Sequence, residues 1–112
     1  MSETITDRYQ RYLVENWPIN PDLKLLAVMG MGMCGEAGEA SEHFKKVLRD
    51  YDCDFAAYPE EKRMEALLEF GDALHYLLKC ADQFGFMLED IMTTNMDKLD
   101  KRYGRIPWYT AL

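Results

Sequence analysis

The stretch ALLEFGDALHYLLKCA, residues 66–81, decides the fold. Leu67, Leu68, Phe70, Ala73, Leu74, Tyr76, Leu77, Leu78 and Cys80 put apolar groups on more than one side of a helix drawn through them. One side packs within the chain, and the other calls for cover from a second subunit. The expected fold is therefore all-α, a helical bundle of about four helices assembled with a second subunit into a dimer or a dimer of dimers.

Outward from this stretch, Pro59 suits the first turn of the same helix, which is expected to run to about Phe84 and to close at Gly85. Upstream, residues 22–49 read as one long helix despite Gly30, Gly32, Gly35 and Gly38. Each of these glycines costs about 1 kcal/mol relative to Ala, which points either to close helix packing or to room for a ligand. A first helix over residues 5–14 has Ser2, Thr4 and Thr6 as candidate caps and ends before Trp17-Pro18, with a restart at Asn20-Pro21-Asp22. A fourth helix covers residues 88–103, stopped by Gly104 and Pro107, and the tail at residues 106–109 is expected to dock. With no alternating strand and no internal repeat, residues 1–112 read as a single domain.

A composition of 48% hydrophobic and 29% charged residues is that of a folded, soluble chain rather than a disordered one. The formal charge of -7 disfavours binding to nucleic-acid polymers or anionic membranes, so an anionic substrate needs local basic residues. Residues 1–12 carry neither an apolar signal core nor a basic transit pattern, which makes a cytoplasmic location the expectation. Cys34, Cys53 and Cys80 lack close Cys or His partners and read as reduced packing residues.

Two acidic pairs carry the chemistry. Glu36 with Glu39, and Glu69 with Asp72, are each spaced i, i+3, so both carboxylates of a pair project from one helix face. Two such faces brought together form an oxygen-only pocket for a divalent cation, which suggests magnesium-assisted phosphate chemistry. Glu69 and Asp72 lie within the apolar stretch, where an unpaired charge is heavily penalised. Either a cation held by both pairs or ion pairing with Lys62 or Lys79 would satisfy them.

Gly32, Glu36, Glu39, His43 and Lys46 share one stripe of the second helix, and Glu65, Glu69, Asp72, Tyr76 and Lys79 share one of the third. On the fourth, Asn95, Lys98 and Arg102 line up, either as a phosphate-facing set or as a solvated helix end. Lys46 admits the same two readings. Trp17 and Tyr12, with Tyr9, Gln10 and Asn16 near them, serve either as base contacts or as core. His43 and His75 are given no role.

GEAGE at residues 35–39, EFGD at 69–72 and LEDIMTTNMDKLDKRYG at 88–104 resemble the MazG-like nucleotide pyrophosphohydrolases of the all-α NTP pyrophosphatase superfamily, in particular the short single-domain type. The similarity extends over residues 25–104. The resemblance implies hydrolysis of ribo- or deoxynucleoside triphosphates of the free pool to the monophosphate and pyrophosphate. Mg²⁺ would be held by Glu36, Glu39, Glu69 and Asp72, with Mn²⁺ as a substitute. Glu39, seconded by Glu36, is the candidate for handling the attacking water. Asn95, Lys98, Arg102 and Tyr103, with Lys46, are the phosphate-binding candidates, and Trp17 and Tyr12 the base-binding ones. Relatives of this kind form homodimers or homotetramers.

Two other classes compete. A di-iron carboxylate bundle also projects acids inward, but it favours two Glu-x-x-His elements, whereas here His75 gives one Asp-x-x-His and His43 falls four residues after Glu39. A noncatalytic helical interaction module would show the same apolar faces and would be indifferent to Mg²⁺.

Overall fold

Local hydrogen bonding sets where each helix begins. In the computed structural model, which describes residues 2–17 and 22–104, Thr4 Oγ1 accepts from the Asp7 amide at 3.1 Å and opens α1 (Ile5–Asn16). Asp22 Oδ1 accepts from the Lys24 amide at 2.8 Å and opens α2 (Leu23–Asp50). α3 (Glu60–Gln83) starts directly after Pro59, and α4 (Leu88–Tyr103) starts where the Met87 amide donates to Asp90 Oδ2 at 2.8 Å. Among the described residues there are four α-helices, one 3-10 turn at Phe55–Ala57 and no strand, so the protein is all-α as expected. None of the helices is long and apolar enough to cross a membrane, again among the described residues. The Asn20-Pro21 restart and the tail at residues 106–109 lie outside the described residues.

Helix ends differ from the sequence reading by one or two residues. α1 runs on to Asn16, and the Trp17 amide still bonds the Leu13 carbonyl at 2.9 Å, because the block imposed by the following proline acts only on Trp17 itself. Positive φ at Gly85 and Gly104 closes α3 and α4. The turn after α2 is made differently. Asp52 and Cys53 take φ of 50° and 63°, so two ordinary L-residues adopt the left-handed conformation and send the chain back toward α2.

α2 and α3 pack antiparallel. Gly32 meets Tyr76 at one end of the contact, and His43 meets Glu69 toward the other. α1 lies against α3 through Trp17 and His75, whose ring centroids are 4.7 Å apart, and the Leu88 amide at the head of α4 donates to Gln10 Oε1 at 2.8 Å. The core is narrow: Leu13, Met29, Ala40, Val47, Tyr58, Ala66 and Leu78 are buried, and no residue of α4 is. Leu67, Leu68 and Phe70 remain 57%, 70% and 58% exposed, so the second apolar side of α3 is open in the single chain.

The glycines of α2 divide by what surrounds them. A Cβ on Gly32 would come within 2.5 Å of the Tyr76 ring, while one on Gly35 would meet nothing within 4 Å. Close packing explains the first glycine and not the second. Gly32→Ala is therefore expected to lower stability by about 1–2 kcal/mol, the overlap with Tyr76 outweighing the gain in helix propensity. Gly35→Ala should be neutral or stabilising by up to about 1 kcal/mol. Urea unfolding of the two variants measures this, and equal effects would contradict the assignment.

Candidate functional site

The antiparallel contact brings the two acidic pairs together. Glu36 is half-buried on α2 with Glu39 one turn on, and Glu69, also half-buried, faces them from α3 with Asp72. Burial pushes the Glu36 carboxyl above the ordinary carboxylate range, and the charges of Glu39 and Asp72, a hydrogen bond with Glu39, and the charge of Glu69 push it further the same way. All three other carboxylates thus act on this one group. Oε2 of Glu36 and Oε2 of Glu69 are buried without a hydrogen-bond partner. Asp72 reaches further, since burial and then the Asp72 charge raise the pKa of Tyr9 on α1.

No lysine or arginine among the described residues neutralises the four. Among the described residues, no Lys or Arg nitrogen lies within ion-pair distance of Glu36, Glu39, Glu69 or Asp72. The two lysines that could have served are directed elsewhere. Lys62 acts on Asp50, and the Lys79 ammonium is buried without a hydrogen-bond partner, its pKa lowered by burial with Asp82 acting against that shift. The neighbour of Glu69 is instead His43, whose Nε2 stands 2.8 Å from Glu69 Oε2, off the line of a well-formed hydrogen bond.

As they stand, no three His, Cys, Asp or Glu side chains among the described residues are gathered tightly enough to hold a metal ion. The donor chemistry nevertheless fits a hard divalent cation. Four carboxylates supply oxygen alone, two of their oxygens are buried and unpartnered, and the exposed Glu39 and Asp72 side chains can rotate toward them. The residues that could hold such an ion are Glu36, Glu39, Glu69 and Asp72.

Of the other sequence candidates, Trp17 and Tyr12 sit together, centroids 5.9 Å apart, with Trp17 on His75 one turn beyond Asp72. Both aromatic faces stay half-open to solvent. Burial first, then the charge of Lys79, lowers the His75 pKa, against the pull of Asp72. Lys46 acts on Asp50 at the end of α2. Asn95, Lys98, Arg102 and Tyr103 are exposed on α4, with the Arg102 guanidinium 5.7 Å from the Tyr103 ring centroid, and no described hydrogen bond or ion pair joins them to the carboxylates.

Sequence reasoning missed Tyr58. Its hydroxyl lies 2.6 Å from Nδ1 of the buried His43, so a residue of the α2–α3 connection reaches the acidic site through an imidazole. His43 shares the Glu36–Glu39 stripe and was legible as a neighbour, but Tyr58 gave no signal because its position depends on the left-handed turn at Asp52 and Cys53. Beside this pair an apolar cleft of about 550 Å³ opens between α2 and α3, lined by Phe44, Val47, Phe55 and Phe70 among others.

Over 80 residues, 71% of the chain, the sequence is 35% identical to the Gene 37 protein of Mycobacterium phage L5, covering 68% of that protein. Over 70 residues, 61% of the chain, it is 31% identical to Uncharacterized protein YvdC of Bacillus subtilis (strain 168), covering 66% of it. No family model and no solved structure matches.

Because Glu36 binds its proton more tightly folded than unfolded, its protonation favours folding. That contribution is fully present below the ordinary carboxylate range and is lost as pH rises through the raised value. With chelator present, Glu36→Gln should melt at higher temperature than the parent at about pH 7, and the gap should close toward about pH 4. A gap independent of pH in differential scanning calorimetry would refute this electrostatic reading.

Proposed function

This chain belongs to the family of the Gene 37 protein of Mycobacterium phage L5, and from the carboxylate site it builds we propose that it is a divalent-cation-dependent nucleoside triphosphate pyrophosphohydrolase. The observation that carries the reading is the convergence of Glu36, Glu39, Glu69 and Asp72 without a lysine or arginine countercharge among the described residues. Carboxylates that only stabilised a helix pair would be ion-paired or separated, since their mutual repulsion opposes folding. The resemblance of residues 35–39, 69–72 and 88–104 to MazG-like enzymes supports the same reading.

In this proposal the four carboxylates would hold Mg²⁺, or Mn²⁺ in its place, which would supply polarisation of the phosphate chain. Glu39, exposed on the open side of the pair, positions a water and takes its proton as the oxygen attacks the α-phosphorus. The new bond joins the water oxygen to that phosphorus, the bridging bond to the β-phosphate breaks, and pyrophosphate leaves. Glu36, one helical turn before Glu39, is assigned to second it in handling the water. Asn95, Lys98, Arg102 and Tyr103, with Lys46, are assigned to the outer phosphates, and Trp17 and Tyr12 to the base. The open side of α3 at Leu67, Leu68 and Phe70 is assigned to a second copy of the chain, as a homodimer or homotetramer acting in the cytoplasm on free nucleotides.

The test is pyrophosphate release from ribo- and deoxyribonucleoside triphosphates with Mg²⁺, Mn²⁺ or chelator. Turnover should require the metal, and Glu39→Gln should fold normally while losing about 100-fold or more in kcat. A folded protein that releases pyrophosphate from none of them with either metal would sink the proposal.

A further inference from the structure

Arg63, Tyr58 and His43 form a chain of contacts that ends on Glu69 and has no part in the reaction as described so far. Arg63, early in α3, donates from Nε to the Tyr58 carbonyl at 3.1 Å and from its guanidinium to the Phe55 carbonyl. It thereby fastens the connection between α2 and α3 at two points. Tyr58, 6% exposed, is further held edge-on to Tyr51, with ring centroids 5.4 Å apart, and its hydroxyl reaches His43 Nδ1 at 2.6 Å. His43, 7% exposed, then holds Nε2 2.8 Å from Glu69 Oε2, off the line of a well-formed hydrogen bond.

We propose that Tyr58 and His43 are positioning residues for Glu69. The Tyr58 hydroxyl selects the imidazole tautomer that carries its proton on Nε2, and that N–H, once the Glu69 carboxylate turns onto its line, aims the carboxylate at the cation site. The chemistry follows from donor and acceptor roles. An ionised carboxylate only accepts, so the ring nitrogen beside it must carry hydrogen, and a ring carrying that hydrogen alone accepts at Nδ1 from the tyrosine hydroxyl. Such outer partners orient a metal-binding carboxylate and tune its affinity. A packing role alone would need neither the hydroxyl nor a particular ring nitrogen. The cleft beside the pair is apolar, so few other groups compete for the imidazole.

This inference rests on the reading of Glu69 as a cation ligand, and two readouts keep the two apart. Long-range ¹H–¹⁵N NMR of the metal-free protein reads the His43 tautomer directly. It should show hydrogen on Nε2 in the parent and a mixed or inverted tautomer in Tyr58→Phe. Mn²⁺ binding without nucleotide, followed by electron paramagnetic resonance, should weaken about 10–100-fold in Tyr58→Phe and in His43→Leu. His43→Gln, whose side-chain amide can donate from near the Nε2 position, should stay within about threefold of the parent, a rescue expected of a hydrogen-bond donor rather than of packing.

Circular dichroism verifies that each variant is folded, and if His43→Leu is not, Tyr58→Phe and His43→Gln decide. Parent-like Mn²⁺ affinity in folded Tyr58→Phe, or hydrogen on Nδ1 in the parent, would overturn the positioning role alone. A parent protein that does not bind Mn²⁺ would overturn the cation reading and this inference with it.

Discussion

Packing α2 antiparallel on α3 puts Glu36 in the field of three other carboxylates, and much of the structure makes sense as the means of holding that unfavourable arrangement in place. Like charges this near one another, with no lysine or arginine paired to them among the described residues, work against the helix contact that brings them together. Apolar contact on the same two helices offsets the repulsion: Val47 and Leu78 are almost fully buried, and Ala40 and Ala66 let the backbones approach. Gly32 contributes at the far end, where any side chain would run into Tyr76.

The surroundings of the carboxylates differ on their two sides. Toward the start of α2, α1 brings Tyr9, Tyr12 and Trp17 against Asp72 and His75, giving open aromatic faces next to the acids. Toward its end lie the buried His43 and Tyr58 and an apolar cleft. The first side offers stacking surface to a planar group, and the second is a braced wall. On the proposed function, base contacts fall to α1 and support to the α2–α3 connection.

How much of this was legible in the sequence depended on distance along the chain. The helices and the two acidic pairs follow from spacings of three and four residues, and the cap residues Thr4 and Asp22 act within three residues of themselves. The excess apolar surface of α3 was also legible, and the structure leaves Leu67, Leu68 and Phe70 open. Partners that depend on the tertiary fold were not. Lys79 was a candidate counterion for Glu69 and Asp72, yet it is buried without a hydrogen bond. Tyr58 reaches His43 across a turn in which Asp52 and Cys53 take positive φ; Asp tolerates that conformation, but nothing in the sequence singles out Cys53 for it. The basic residues of α4 lie on an exposed helix, with no described hydrogen bond or ion pair to the carboxylates.

The claim on which the rest depends is that Glu36, Glu39, Glu69 and Asp72 together bind a divalent cation. Anomalous diffraction from crystals grown with Mn²⁺ tests it without reference to any substrate. The account predicts a manganese peak between α2 and α3, coordinated by oxygens of these four side chains. Manganese found only elsewhere, or the four carboxylates closed onto lysine or arginine side chains of a neighbouring subunit, would contradict it.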